Sequence, residues 1–390
     1  MDKKPEKLVP EVRFKGFTDD WEQRKLNEAT TRILRKNKNL ISKRPLTISA
    51  QYGLIDQQAF FNKQVASSNL ENYLLLEKGE FAYNKSYSDG FPYGTIKKLN
   101  LYDNGAVSTL YIAFKANADI NSDFLENLFS SNKWNNEVYK IAAEGARNHG
   151  LLNISPDDFF NIKITISKDS QEQAFISKFL RVFDNLLALY EKKKQLLTQL
   201  KQGIVNFLIT KNGQKPQLRF SGFNNNWESK SFEKLLNYEQ PTKYIVKKAD
   251  YISQGTPVLT ANKSFVLGYT NETNVYQNIP AIIFDDFTLE SKYVDFPFMV
   301  KSSAIKILTS ENSNLFFIYQ LLNNQRFVQE GHSRHYISVV QKKKVLVPSI
   351  QEQNKISDLI KQLEDNIELN SNTIVLLKKL KEFLLQSMLL

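Results

Sequence analysis

The sequence predicts a mixed α/β protein built from two tandem globular domains and two long helices. Residues 10–22 (PEVRFKGFTDDWE) return at residues 216–228 (PQLRFSGFNNNWE), with seven of the thirteen positions identical. The tripeptide QEQ opens a long helical pattern at residue 171 and another at residue 351. Each repeat is thus a globular unit followed by a helix, and two such copies predict a pseudo-twofold molecule.

The order along the chain is domain, helix, domain, helix. We expect the first domain at residues 1–167, the first helix at 168–212, the second domain at 213–347 and the second helix at 348–390. The first copy is longer than the second, and the interiors of the two copies diverge. Two heads of this kind are suited to reading two separated, different sites on one partner.

Alternating apolar residues and turn signals predict the elements inside each domain. Expected turns lie at residues 88–90 and 104–105. The predicted strands are 81–85, 107–114, 160–166, 258–260, 281–284 and 344–347, and the predicted shorter helices are 123–139 and 314–325.

The long helices carry apolar residues at alternating steps of four and three, which is typical of a coiled-coil seam. Polar residues interrupt this seam at Lys194, Lys201 and Asn370. A second apolar face either covers the globular domains or meets a partner protein. The residues expected at a helix–helix or partner interface are Phe179, Phe183, Leu187, Leu197, Leu363, Ile367, Leu377 and Leu384.

The composition indicates a folded, basic protein. Hydrophobic residues make up 42% of the chain, which is enough for packed cores. The formal net charge of +11 favours a polyanionic partner, either nucleic acid or a membrane surface. The absence of cysteine excludes disulfides, thiolate metal sites and a cysteine nucleophile. Because no signal peptide or run of ~18 apolar residues occurs, we expect a cytoplasmic protein.

With these features together, the chain closely resembles the DNA-specificity subunit of Type I restriction–modification systems. The resemblance covers essentially the whole chain, in the family's order of domain, helix, domain, helix. It rests on the two opening repeats, on the QEQ helices, on FAYNKS (81–86) with GAVSTLY (105–111), and on LTANK (259–263) with AIIFDDF (281–287).

The resemblance implies a non-catalytic subunit that binds a specific DNA sequence. Each domain would read one half of a split, asymmetric target, and the antiparallel helices would hold the half-sites roughly 34 Å apart. The helices would also dock two methyltransferase subunits, and motor-nuclease restriction subunits would complete the enzyme. No cofactor is expected on this chain, since S-adenosylmethionine, ATP and Mg would belong to those partner subunits.

The first candidates for DNA contact lie in a polar segment of each copy. These segments, 144–150 and 330–336, are each followed by an Ile-Ser pair and contain all three histidines of the chain. Arginine can form a bidentate contact with guanine, and asparagine with adenine. An ordinary solvent loop is the alternative. The candidates are Arg147, Asn148, His149, Arg334, His335 and Tyr336.

A second group of candidates lies near the ends of predicted strands. Lysine at such positions favours contact with phosphate over contact with bases, and a solvated strand end is the alternative. Trp21 and Trp227 occupy equivalent repeat positions, and we expect them to be buried anchors rather than platforms for bases. The second group is Lys85, Ser86, Tyr87, Asn262, Lys263 and Ser264.

The sequence offers little support for catalysis. It contains no glycine-rich phosphate loop, no dinucleotide fingerprint and no Asn-Pro-Pro-aromatic methyltransferase motif. His332 and His335, without a third ligand, make a poor zinc site. Two rival hypotheses stay open: a coiled-coil scaffold that binds proteins without DNA specificity, and a stand-alone nuclease or methyltransferase.

Overall fold

The chain divides into two compact units in the computed structural model. Unit 1 consists of Met1–Tyr190 and Thr373–Leu390, and unit 2 consists of Glu191–Asn372. Each unit therefore contains one globular domain and a segment of both long helices. The structure describes residues 8–49, 52–62, 69–87, 90–142, 152–209, 215–248, 250–262, 264–327 and 335–390.

Unit 1 is built on short antiparallel strands. They are β1 (Glu22–Lys25), β2 (Thr30–Arg32), β3 (Leu46–Ser49), β4 (Gly53–Asp56), β5 (Leu74–Glu77), β6 (Phe81–Asn84), β7 (Thr95–Lys98), β8 (Asn104–Val107), β9 (Ile112–Ala116) and β10 (Lys163–Ile166). A four-stranded sheet has the order β2-β9-β6-β7, while β1 pairs with β10, β3 with β4 and β5 with β8. The helices are α1 (Leu26–Ala29), α2 (Gln57–Phe61), α3 (Ser122–Ser130), α4 (Asn135–Ala142), α5 (Pro156–Phe160) and the start of α6 (Ser170–Leu208).

Unit 2 repeats this plan with fewer strands. They are β11 (Glu228–Ser231), β12 (Asn237–Glu239), β13 (Thr256–Leu259), β14 (Val266–Thr270), β15 (Ala281–Asp285), β16 (Ser291–Val294), β17 (Met299–Val300), β18 (Ile305–Thr309) and β19 (Lys344–Val347). The four-stranded sheet has the order β12-β18-β15-β16, which corresponds strand by strand to β2-β9-β6-β7 in unit 1. The helices are α7 (Phe232–Leu235), α8 (Leu315–Asn323) and α9 (Ile350–Ser387), with a π-helical turn at Tyr336–Val340.

The central strand of each four-stranded sheet is buried on both faces, which explains its uninterrupted apolar sequence. In β6, Phe81 and Tyr83 join the larger core of unit 1, whereas Ala82 joins a smaller core behind the sheet. In β15, Ile282 and Phe284 join the larger core of unit 2, and Ile283 joins the smaller one. The two strands thus occupy corresponding places.

The long helices pack antiparallel in each unit, as predicted. In unit 1, Ile176 and Leu180 near the start of α6 share a core with Leu384 near the end of α9. In unit 2, Leu208 near the end of α6 shares a core with Ile360 near the start of α9. All eight predicted interface residues are buried or half-buried. The mixed α/β class with long packed helices is confirmed.

Two of the interruptions predicted for the seam are accommodated by polar contacts. Lys201 pairs with Glu364 at 2.5 Å. Asn370 is buried and donates to the carbonyl of Asn366. Lys194, by contrast, is exposed.

Some predicted elements differ from those observed. The predicted strand 107–114 is two strands, β8 and β9, and the predicted helix 123–139 is two helices, α3 and α4. Gly105 was read as a turn signal but lies inside β8, opposite Leu76. A Cβ atom built at Gly105 would come within 2.2 Å of the Leu46 side chain, so glycine is required there for close packing. The predicted strand 160–166 begins later, at Lys163, because Phe160 ends α5.

Candidate nucleic-acid interface and helix faces

Within each unit, the opening repeat (residues 10–22 or 216–228) contacts the QEQ tripeptide at the start of the long helix. The contact forms a polar clasp between the domain and its helix. We define the clasp of unit 1 as Arg13, Asn121, Glu172 and Gln173. Arg13 donates from Nε and Nη2 to the two carboxylate oxygens of Glu172, at 2.6 and 2.9 Å. Trp21 Nε1 donates to the same carboxylate at 2.9 Å, and Glu172 is fully buried. This hydrogen bonding raises the pKa of Arg13.

Gln173 extends the clasp of unit 1 to a neighbouring helix. Its Oε1 accepts from the Asn121 amide at 2.8 Å, and its Nε2 donates to the Ser167 carbonyl at 2.9 Å. The Asn121 side chain caps α3 by accepting from two backbone amides, those of Asp123 and Phe124. The QEQ tripeptide therefore fastens the start of α6 to both the repeat motif and α3.

Unit 2 carries the same clasp, formed by Arg219, Asn314, Glu352 and Gln353. Arg219 donates to the two oxygens of Glu352 at 2.9 and 2.7 Å, which raises the pKa of Arg219. Gln353 Oε1 accepts from the amide of Asn314, the residue that caps α8, at 2.9 Å. Bidentate pairs of this kind fix geometry as well as charge. The sequence repeat is thus explained by a contact that each domain needs to hold its helix.

The tryptophans of the repeat are structural. Trp21 is buried, as predicted. Trp227 is half-buried and packs edge-on against Phe317, with 6.2 Å between ring centroids.

Lys85 and Ser86 follow the central strand β6 in unit 1. The Lys85 ammonium donates to the carbonyl of Ile154 at 3.0 Å, and the Lys85 carbonyl accepts from the amide of Leu152 at 3.0 Å. Ser86 is half-buried, and its amide donates to Asn84 Oδ1. Tyr87, the next residue, is 52% exposed. The structure thus brings Lys85 to the residues that follow the predicted contact segment 144–150.

The candidates of unit 2 lie in two places. Asn262 and Ser264 are exposed in the turn between β13 and β14, whereas His335 and Tyr336 are buried beside β15. Burial raises the pKa of the Tyr336 phenol, which stays protonated. In this fold the side chains of His335 and Tyr336 face the protein interior and not solvent. Arg147, Asn148, His149, Lys263 and Arg334 lie outside the described residues.

The structure adds charged residues that the sequence reasoning missed. Asp286 and Lys306 form a buried ion pair of 3.3 Å, with side chains only 2% and 1% exposed. Asp286 Oδ1 accepts from the backbone amide of Tyr336 at 2.7 Å. The DDF sequence after an apolar strand was a signal for this site, since paired acids after a buried strand are unusual.

The long helices expose an apolar face away from the seam. On α6 the exposed residues include Phe175, Val182 and Leu189 in unit 1, and Leu196 and Leu200 in unit 2. On α9 in unit 1, Leu376, Leu380 and Phe383 are 66%, 42% and 57% exposed. Contiguous exposed apolar residues of this kind mark protein-interaction surfaces. The globular domains therefore leave most of the second predicted face uncovered.

The described part of the chain carries neither a membrane-spanning helix nor a metal-binding cluster. No described helix has the length and apolar character that crossing a bilayer requires. Among the same residues, no cluster of three or more metal-ligating side chains occurs.

Comparison with known proteins agrees with the resemblance seen in the sequence. The family model of the Type I restriction modification DNA specificity domain matches residues 224–379. The specificity subunit of the Type I restriction enzyme EcoR124I/EcoR124II from Escherichia coli is 50% identical over 123 residues. That match spans 29% of this chain and 30% of the length of the relative.

Solved structures show the same fold along nearly the whole chain. The Type I restriction–modification S subunit from M. genitalium has a TM-score of 0.64 and 14% identity, covering 98% of this chain and 99% of its own. A chain from a structural study of complex assembly in the type I R-M system has a TM-score of 0.54 and 13% identity, covering 94% and 97%. Residues 224–379 therefore match the Type I restriction modification DNA specificity domain, and the chain shares its fold over nearly its whole length with these solved structures.

Proposed function

We propose that this chain recognises an asymmetric, bipartite DNA target and directs adenine methylation and restriction by partner subunits. The observation that carries the proposal is the repetition of one sheet order and one polar clasp in two units whose remaining sequence differs. Two similar scaffolds with different loops are suited to reading two different half-sites. The homologous specificity subunits are non-catalytic, and we assign no chemistry to this chain.

The domains at residues 1–167 and 213–347 are proposed to read one half-site each, with 168–212 and 348–390 as spacer helices. Base contacts are assigned to Arg147, Asn148, His149 and Arg334, because bidentate side chains in the major groove distinguish base pairs. Lys263, Asn262, Ser264, Ser86 and Tyr87 are proposed to contact the DNA backbone. The net charge of +11 supports a polyanionic partner. His335 and Tyr336 are buried, and we propose that they support the contact segment 330–336 from the protein interior and do not touch DNA.

The proposed protein partners are two methyltransferase subunits and motor-nuclease restriction subunits. The exposed apolar residues of α6 and α9 support docking of protein on the helices, because an apolar face left in water is disfavoured. The same residues support the view that one helix face forms the seam and the other meets a partner. S-adenosylmethionine, ATP and Mg would then be bound by those partner subunits.

Substituting Arg147 with alanine should reduce base selectivity at one half-site, and substituting Arg334 should reduce it at the other. We expect a loss of about 1–3 kcal/mol of discrimination at one base pair, with the other half-site unchanged. The measurement is a map of methylated adenines in DNA from cells that carry the variant system. Loss at both half-sites, or at neither, would contradict the assignment.

A binding assay on duplex DNA, with the chain assembled with its partner subunits, distinguishes DNA recognition from a scaffold role. DNA recognition predicts that affinity for duplex falls steeply with salt and depends on the mapped sequence. A scaffold without DNA specificity predicts equal affinity for scrambled duplex.

Lengthening both spacer helices by one heptad should lengthen the gap between the half-sites. Seven residues after Tyr190 in α6 and seven after Asn372 in α9 keep the heptad phase and add about 10 Å to each helix. At ~3.4 Å per base pair, the preferred gap should grow by about three base pairs. Methylation of a target library with varied gaps measures this. An unchanged gap would show that the helices do not set the spacing.

A further inference from the structure

Two charged side chains of opposite sign occupy the same place in the two domains. Lys85 follows β6, and Asp286 follows β15, the corresponding central strands. The residues before them match as well, because Asn84 Oδ1 accepts from the amide of Ser86 and Asp285 Oδ1 accepts from the amide of Phe287. Each strand is therefore followed by a similar turn, in which the residue after the strand is a lysine in one domain and an aspartate in the other.

Each charged side chain holds the backbone where a predicted contact segment ends. Lys85 Nζ donates to the carbonyl of Ile154, a residue that is itself buried. Asp286 Oδ1 accepts from the amide of Tyr336, and the Asp286 carbonyl accepts from the amide of His335 at 3.2 Å. A donor that meets a carbonyl in one domain is thus replaced by an acceptor that meets an amide in the other.

The neighbouring strand changes together with the charge. In β9 the residue opposite Tyr83 is Ile112, whereas in β18 the residue opposite Phe284 is Lys306. Both are buried, at 4% and 1% exposure. Lys306 Nζ lies 3.3 Å from the Asp286 carboxylate and donates to Gln240 Oε1 at 3.1 Å. At this position of the sheet, a lysine therefore occurs in the domain where the neighbouring charge is an acid, and an apolar residue occurs in the other domain.

This pattern is difficult to attribute to stability alone. A buried ion pair costs desolvation and is often no more stable than well-packed apolar residues. Domain 1 builds the same sheet with Ile112 at the corresponding position, so the fold does not require a lysine there. The ion pair of domain 2 instead keeps a carboxylate directed at the backbone amide of Tyr336.

We propose that Lys85 and Asp286 are positioning residues, each setting the base selectivity of one half-site by fixing the backbone next to its contact segment. The proposal rests on the proposed DNA-specificity function. It reassigns Lys85, whose ammonium acts inside the domain and does not grip phosphate. Lys306 pairs with the Asp286 carboxylate in the core, at 3.3 Å, and so holds that side chain in place.

Domain 2 provides the sharper test, because selectivity and stability should separate. In the variant with Asp286→Ala and Lys306→Ile, no buried charge is left unpaired, so we expect the domain to fold but to lose about tenfold or more in selectivity at its half-site. In Asp286→Asn, the acceptor for the Tyr336 amide is retained while Lys306 loses its negatively charged partner. That variant should melt at lower temperature yet keep its selectivity. A purely structural role predicts that selectivity follows stability in both variants, which would overturn the proposal.

The readout is the methylation motif obtained with each variant assembled with its partner subunits. The half-site to be watched is the one that Arg334→Ala alters, and the other half-site is the internal control. If Arg334→Ala alters neither half-site, the proposed function of the segment fails. If Arg334→Ala alters a half-site that the Asp286→Ala and Lys306→Ile variant leaves intact, only the positioning role fails.

Domain 1 tests the reassignment of Lys85. We expect Lys85→Met to relax the other half-site about tenfold without changing the slope of log affinity against log salt, and Lys85→Arg, which keeps a donor, to restore selectivity. A phosphate contact predicts the opposite, namely a uniform loss of affinity and a slope reduced by about 0.9. That result, or equal relaxation at both half-sites, would overturn the proposal for Lys85.

Discussion

Replacing Glu172 with alanine should destabilise unit 1 by about 3–5 kcal/mol, because it leaves one partner of a buried ion pair uncompensated. The Arg13 side chain is only 11% exposed, so water can replace little of what it loses. Trp21 Nε1 and Ser167 Oγ, at 2.9 and 2.5 Å from the same carboxylate, lose their acceptor too. Hydrogen exchange by mass spectrometry should show protection lost in unit 1 peptides and kept in unit 2 peptides.

The second clasp and a surface glutamate provide matched comparisons. Glu352→Ala should act in unit 2 by the same mechanism but less strongly, since Arg219 is 25% exposed and can recover some hydration. Glu382→Ala, at an exposed position of α9, should change stability by less than about 0.5 kcal/mol. Equal effects of Glu172→Ala and Glu382→Ala would mean that the clasp does not hold helix and domain together.

Replacing both Leu376 and Leu380 with glutamine should weaken docking of the proposed methyltransferase subunit by at least about 100-fold. These side chains are 66% and 42% exposed on α9, and burying a leucine at an interface contributes about 1.5–3 kcal/mol. Leucine and glutamine have similar helix propensities, so α9 should remain intact. Titration of the variant with purified methyltransferase, followed by size-exclusion chromatography, measures the loss.

Lys379→Gln is the control, because it introduces the same residue at an exposed polar position between the two leucines. It should leave assembly unchanged. Full assembly of the Leu376→Gln and Leu380→Gln variant would place the partner elsewhere and would leave the exposed apolar face of α9 without its proposed role.

Local patterns predicted those elements whose burial follows the sequence period. The β19 strand lies at the predicted residues 344–347, and both long helices begin at short capping side chains before QEQ, with Asp169 accepting from the amides of Gln171 and Glu172. Sequence patterns gave the wrong element where tertiary packing determines the local structure. Gly105 resembles a turn residue, yet its place in β8 depends on the Leu46 side chain, which lies far away in sequence.

The candidate site shows the same division. The importance of Arg13, Arg219 and the two QEQ tripeptides was evident from their repetition, although their mutual contact was not. Asp286 and Lys306 drew no prediction, because the acidic pair after β15 was visible in the sequence but nothing linked it to a lysine twenty residues further on. Their pairing exists only because β15 and β18 are neighbours in the sheet.

By itself, the sequence determined that this protein has two similar globular domains and two heptad-patterned helices, since repetition and periodicity are properties of the chain. The tertiary structure alone decided which polar residues become partners and which apolar faces stay in water. The physical reason is that burial makes a charge dependent on a specific neighbour, and that neighbour is supplied by strands and helices distant along the chain.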